Sequence, residues 1–283
     1  MEIKIIGKNL DLLGEGPTYN KNQNNIYWVD IDDKKYHYVN LSNLNKISTI
    51  NVLGPISSIV STTNFYMAAT IFHDFYLLDD IGNPKKLISI EERNPETRFN
   101  DGKVDPFGAY VAGTMDKNKK NQIASLYRFD GKKIIKILNN LRISNGLAWD
   151  TDKHIFYHID TPDRNVKAYL YDNNMNLDYL GVAVDFNKEL GNPDGMTIDS
   201  EGHLWIAHYG GSQISVWDPK NHKKITSIKF PAANITSCTF AGDNLNYLFV
   251  TSAKNRNQFD LGGSLFLLKT DIQGYLPFKF KIS

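Results

Sequence analysis

Four short segments pair an oxygen-bearing side chain with a glycine: Glu15-Gly16-Pro17, Asn100-Asp101-Gly102, Asn145-Gly146 and Asp194-Gly195. Any one of them alone reads as an ordinary turn, because Asn-Gly and Asp-Gly are common turn dipeptides. Together, Glu15, Asn145 and Asp194 offer two carboxylates and one amide oxygen. Such hard donors suit Ca²⁺, Mg²⁺ or Mn²⁺ better than a soft metal. Three protein ligands leave coordination positions open for water or substrate, as a hydrolytic ion requires. The sequence has no CxxC, HExxH, phosphate loop, GxSxG elbow or dinucleotide-binding glycine fingerprint. Its seven histidines show no ligand spacing. His158 and His208 follow strand aromatics and read as half-buried structural residues with satisfied rings. Asp30-Ile31-Asp32-Asp33 lacks the glycine and distal glutamate of an EF-hand loop and reads as a solvated hairpin turn.

For these groups to meet, the fold must bring positions 15, 100, 145 and 194 to one place. Short aromatic runs bounded by Gly, Asn and Asp mark the strands that do so. They are Ile26-Tyr27-Trp28-Val29, Ala109-Tyr110-Val111-Ala112, Ile155-Phe156-Tyr157-His158, Leu204-Trp205-Ile206-Ala207 and Tyr247-Leu248-Phe249-Val250, with Phe65-Tyr66-Met67-Ala68 a weaker sixth. Their centres recur at roughly 40 to 50 residues, the period of propeller blades. A small apolar run such as Gly146-Leu147-Ala148-Trp149-Asp150 comes before the aromatic strand. A strand ending in an aromatic and Asp, such as Tyr169-Leu170-Tyr171-Asp172, comes after it. Six units of four strands account for residues 1–283 as a single all-β domain, a six-bladed β-propeller with a central metal site. Residues at one phase of successive blades share a radius and a height. Polar groups lying roughly ten residues ahead of each aromatic strand therefore converge on the axis. The adjoining glycines suit positive φ or a close backbone approach.

Composition narrows the classes of function. The chain has 283 residues, 41% hydrophobic and 22% charged, which is ordinary for a soluble globular protein with a large core. A formal net charge of +1 supports neither a nucleic-acid groove nor a membrane-binding face. Lys117, Lys119 and Lys120, like Lys132 and Lys133, read as solvated turns. The single cysteine, Cys238, permits no internal disulfide, and the strand-like run Thr236–Phe240 predicts a buried, inert thiol. With no apolar signal segment and no stretch of transmembrane length, the expected location is cytoplasmic.

The sequence resembles the SMP-30/gluconolactonase/regucalcin-like family over nearly its full length. The resemblance rests on Leu13-Gly14-Glu15-Gly16-Pro17, Arg98-Phe99-Asn100-Asp101-Gly102-Lys103-Val104-Asp105-Pro106, Gly113-Thr114-Met115, Ser144-Asn145-Gly146-Leu147-Ala148-Trp149, Pro193-Asp194-Gly195-Met196-Thr197-Ile198-Asp199 and Thr236-Ser237-Cys238-Thr239-Phe240. It implies a six-bladed propeller with one divalent ion (Ca, Mg, Mn, Zn or Fe) in the central channel. The implied ligands are Glu15, Asn145 and Asp194. The implied activity is hydrolysis of a small-molecule sugar lactone, such as gluconolactone or a pentonolactone, to the aldonic acid.

In that reading Asp194 both holds the ion and acts as general base. Arg98 and Asn100 contact the substrate, with Asp101 in support beside them. Without the motif, Arg98 would suit a surface ion pair with Glu92 or Glu96, and Asp101 a plain turn. Two other readings share the scaffold: a metal-dependent esterase or phosphotriesterase, and a non-enzymatic Ca²⁺-binding propeller. One departure bears on substrate choice. Some relatives carry an acidic residue just after Gly-Thr-Met, where this chain reads Asp116-Lys117-Asn118-Lys119.

Overall fold

Short runs of β-branched and aromatic residues, punctuated by turn formers, become antiparallel strands along the whole chain. The computed structural model describes residues 2–64, 66–79, 81–90, 94–255 and 260–282. Among the described residues there are 24 strands and one three-residue 3-10 helix, Thr161–Asp163. None of its helices is long and apolar enough to cross a membrane.

Four sheets each hold four consecutive strands joined by hairpins. They run from Gly14–Asn20 to Ile47–Asn51, from Ile56–Ser61 to Pro84–Ser89, from Thr97–Val104 to Ile134–Leu141, and from Ser144–Asp150 to Leu177–Asp185. The other strands form one eight-stranded sheet made of two such runs. One run extends from Asn192–Ile198 to Lys223–Lys229. The other extends from Asn234–Ala241 to Leu265–Lys269, with the N-terminal strand Ile3–Gly7 as its outer member. A single residue pair, Tyr209 opposite Asn234, joins the two runs. The first strand of each run lies innermost and packs on the first strand of the next; Asn234–Ala241 packs back on Gly14–Asn20 and closes the ring.

The second strands are the aromatic ones. Asn25–Asp30 and Tyr110–Asp116 are buried along their entire lengths because neighbouring sheets cover both faces. Outer strands such as Lys223–Lys229 are mostly exposed and polar. The sixth aromatic run is displaced from its expected place. Its strand is Met67–Ile71, Tyr66 precedes it at 39% exposure, and Phe65 lies outside the described residues. Small residues, Ala68 and Ala69, fill the position that aromatics take elsewhere. Cys238 is buried as expected, and burial pushes its thiol up to about 12.

After its last strand the chain crosses one end of the ring. Gly274 N–H donates to Leu245 O at 2.8 Å, Phe280 N–H to Ser61 O at 2.8 Å, and Lys281 N–H to Gly108 O at 2.8 Å. Phe280 is fully buried between the rings of Tyr110 and Phe129. Tyr275 to Phe278 cover a cavity of about 90 Å³ bounded by inner-strand residues such as Ile59, Leu147 and Ile198. This strap closes one end of the axis, so access is from the other. Replacing Phe280 with Ala is expected to cost about 3–5 kcal/mol in denaturant unfolding. A loss below about 1 kcal/mol, the usual surface value, would mean that the strap lies outside the cooperative fold.

Candidate active site

Every innermost strand breaks register at the same level. The shifts fall between Glu15 and Thr18, Ile56 and Ser58, Phe99 and Gly102, Asn145 and Leu147, Pro193 and Met196, and Ile235 and Ser237. A bulge leaves a residue out of the ladder and re-aims its side chain. The glycines serve this geometry in two ways. Gly16 takes φ +52°, a left-handed conformation that side chains resist. Gly195 permits close approach, since a Cβ there would lie 2.2 Å from Ser237 Oγ. Four of the bulged levels carry the predicted polar residues, and Ser57 and Thr236 occupy the other two, without a glycine to mark them.

Two buried aspartates set the strands that carry Glu15 and Asn145. Asp30 accepts the N–H groups of Leu12 at 2.8 Å and Leu13 at 3.0 Å. Asp160 accepts those of Arg142 at 3.1 Å and Ile143 at 2.8 Å. In each case the carboxylate grips the backbone two residues before the site side chain. Asp30 is therefore a buried organiser, a correction to the solvated-turn reading, which holds for exposed Asp32 and Asp33.

A hydrogen-bonded chain then crosses three runs. Arg98 NH1 donates to Phe99 O at 2.7 Å and to Asn100 Oδ1 at 3.1 Å. Asn100 Nδ2 donates to Ser144 O at 3.0 Å and to Asn145 Oδ1 at 3.2 Å. Asn145 Nδ2 donates to Thr161 Oγ1 at 2.9 Å, and that hydroxyl donates to Pro193 O at 2.9 Å. The Thr161 contact fixes the Asn145 amide and leaves its oxygen a lone pair beyond the one Asn100 uses.

Glu15, Asp101 and Asp194 are 9%, 4% and 5% exposed. Burial first, then the charges of Asp194 and Asp101, hold the Glu15 carboxyl well above the usual range. Burial and Asp101 do the same to Asp194, opposed by a hydrogen bond from Asn145. Burial raises Asp101, whose Oδ1 accepts Gly102 N–H at 2.7 Å while its buried Oδ2 has no partner among the described residues. Among the described residues two cations lie nearby: Arg98, whose charge lowers Glu15, and Lys103, whose Nζ donates to Met196 O and whose pKa burial lowers against the pull of Asp101 and Glu15. Three ionised carboxylates facing Lys103 and Arg98 away from water leave a negative surplus. A bound cation removes that penalty. No cluster of three or more His, Cys, Asp or Glu side chains suited to a metal occurs among the described residues. The donor set here is two carboxylates and an amide, and its excess charge fits a hard divalent ion.

The predicted residues Glu15, Arg98, Asn100, Asp101, Asn145 and Asp194 thus lie together. Arg98 lines the open mouth and has no ion pair among the described residues; Glu96 is exposed, and Glu92 lies outside the described residues. The sequence offered no role for Thr161, Lys103 and Asp160, and Asp30 read as part of a solvated turn. The aspartates that end the aromatic strands were the available signal, and Lys103 sat inside a quoted motif. His158 and His208 are fully buried rather than half-buried. Desolvation pushes His158 down to about 3, and His208 bonds Leu190 O and Ser215 Oγ at 2.7 Å.

Above these residues opens a cavity of about 940 Å³, bordered by Arg98, Met115, Lys119, Tyr209 and Lys254. A closed ring of antiparallel sheets with polar groups on the axis is the architecture of a β-propeller hydrolase or binding protein. Residues 13–254 match the family model described as SMP-30/Gluconolactonase/LRE-like region, and the chain belongs to that family. It is 34% identical over 282 residues to YvrE of Bacillus subtilis, whose name proposes a sugar lactone lactonase, covering 95% of each chain. Human regucalcin is 31% identical over 282 residues, covering 94% of each. A solved luciferin-regenerating enzyme superposes with a TM-score of 0.92 at 28% identity, covering 99% of each chain.

Proposed function

We propose that this chain is a one-domain, six-bladed propeller that hydrolyses a sugar lactone to its aldonic acid, using one divalent ion held by Glu15, Asn145 and Asp194. The observation that carries the reading is the surplus of buried carboxylate at the ring axis, directly below a mouth that holds a guanidinium. Membership of a family whose description includes gluconolactonase supports the same activity. The four sheets and the two runs of the eight-stranded sheet count as six blades. When bound, the ion supplies Lewis-acid polarisation of a carbonyl and lowers the pKa of water. Ca²⁺, Mg²⁺, Mn²⁺, Zn²⁺ and Fe²⁺ are all candidates for these oxygen donors, since such sites select by cavity size and supply.

The protein's own groups do the rest. Asp194, ionised, takes a proton from the attacking water. Arg98 keeps guanidinium N–H groups beyond those given to Phe99 and Asn100, and these donate to sugar hydroxyls or to the developing oxyanion. Asn100 holds Arg98 and Asn145 in register from one amide. Asp101 acts on the set through its charge beside Glu15 and Asp194.

The test is hydrolysis of an aldonolactone panel by protein stripped with chelator and refilled with each ion in turn. Restored turnover on one or two sugar lactones is the expected result. Tight Ca²⁺ binding without acceleration over the spontaneous rate would instead support the Ca²⁺-binding propeller. Turnover confined to aryl esters or phosphotriesters would move the substrate class.

A further inference from the structure

The loop after Gly-Thr-Met carries an acidic residue, Asp116, but that residue does not face the mouth. It is fully buried. Its carboxylate accepts the N–H groups of Asn118 at 2.9 Å, Lys120 at 2.9 Å and Asn121 at 2.7 Å. Lys119 N–H closes on Asp116 O at 3.0 Å, and Lys119 takes φ +59°. Asp116 is consumed in shaping a tight loop, and that loop presents lysines to the cavity.

Among the described residues four cations border the mouth: Arg98, Lys117, Lys119 and Lys254, against Asp32 and Asp260. Lys117 Nζ is tied to Pro95 O at 2.6 Å. Both Asp260 oxygens are committed to backbone, accepting Ala233 N–H at 2.7 Å and Gly262 N–H at 2.8 Å. Lys119 and Lys254 are exposed and have no ion-pair partner among the described residues. The carboxylates below do not absorb this charge, because Lys103 and a divalent ion already balance Glu15, Asp101 and Asp194. The mouth therefore keeps a positive surplus where the end of a substrate remote from the ion would lie, and a cleft lined by one sign of charge concentrates the opposite sign.

We propose that the preferred substrate is an anionic sugar lactone, carrying a phosphate or carboxylate at the end remote from the ring carbonyl, and that Lys119 and Lys254 read that group. This rests on the lactonase reading and narrows it. A sugar kinase or an oxidase of terminal hydroxyls is the class of reaction that would supply such a substrate.

The experiment compares three lactones, with Ca²⁺, Mg²⁺ or Mn²⁺ supplied. They are gluconolactone, gluconolactone phosphorylated on its terminal hydroxyl, and glucarolactone with a free terminal carboxylate. At least one anionic lactone is expected to show kcat/KM roughly 10–100-fold above the neutral one, chiefly through KM, the scale of one or two charge-assisted contacts. The better of the two identifies the anion. The double variant Lys119→Gln with Lys254→Gln is expected to bring that ratio to within about threefold of unity, and salt to shrink it in the parent protein. Equal kcat/KM for all three lactones, or a preference that survives the double substitution, overturns the proposal. Calorimetric titration with gluconate, its phosphate ester and glucarate reads the site without turnover. If no lactone is hydrolysed yet an anionic acid binds more tightly than gluconate through Lys119 and Lys254, the anion site stands and the lactonase reading falls. If neither binds more tightly, the anion site falls whatever the turnover.

Discussion

Replacing Asp194 with Asn is expected to lower kcat/KM on the responsive lactone by roughly 10³-fold or more, the scale of losing a positioned general base. The substitution keeps the shape of the side chain and one acceptor oxygen, so it removes charge and basicity without opening a cavity. Two functions are lost together. The residue no longer takes a proton, and a site left with one fewer carboxylate binds a divalent ion less tightly. Calorimetric titration with the activating ion separates the two. If saturating ion leaves the loss intact, the proton-transfer role stands. If saturating ion restores turnover to within tenfold of the parent, Asp194 is a ligand only, and Asp101, with its unpartnered Oδ2, becomes the next candidate base.

Much of this site could be read from the sequence because propeller phase converts distant positions into neighbours. Glu15, Asn100, Asn145 and Asp194 stood out only because each adjoins a glycine or a turn former at one phase of the repeat. The structure supplies the reason: a bulge at each of those points leaves Asn100 and Asp194 out of the ladder and falls directly after the paired Glu15 and Asn145. Where no glycine was needed, at Ser57 and Thr236, the same level carried no mark. The role of Thr161 was hidden for a different reason. Its hydroxyl matters through a contact with Asn145 sixteen positions away, and no local pattern encodes that. The burial of Asp116 was equally hidden. A charged residue in a lysine-rich turn reads as solvated, yet three backbone N–H groups compensate it fully. The sixth aromatic strand misled because periodicity was anchored on ring-bearing residues, whereas Met67–Ile71 packs small side chains there.

Stripped of its ion, the parent protein is expected to be less stable near neutral pH than the Asp194→Asn variant, and the gap is expected to close on acidification. The sign follows from linkage. In the folded chain Asp194 holds its proton well above the ordinary value of 3.8, through burial and the charge of Asp101, whereas the unfolded chain releases it near that value. Between those two pH values the native state binds more protons than the unfolded one, so stability falls as pH rises through the window. Asn does not titrate and escapes this loss. His158 and His208, both lowered by desolvation, act in the opposite direction but equally in the two proteins, so the comparison reports on Asp194 together with Glu15, whose carboxyl the charge of Asp194 raises. Carboxylates lowered by hydrogen bonds, such as Asp79, Asp172 and Asp218, affect stability only in more acidic solution and are likewise shared. Adding the ion is expected to reverse the order, because it binds the ionised carboxylates of the parent; at a hundred times Kd it contributes about 2.7 kcal/mol. Thermal unfolding across the acidic to neutral range, with chelator and then with ion, gives both arms. A gap independent of pH in the metal-free proteins would mean that Asp194 is not held protonated at the axis. Equal stabilisation of the two proteins by the ion would remove Asp194 from the ligand set.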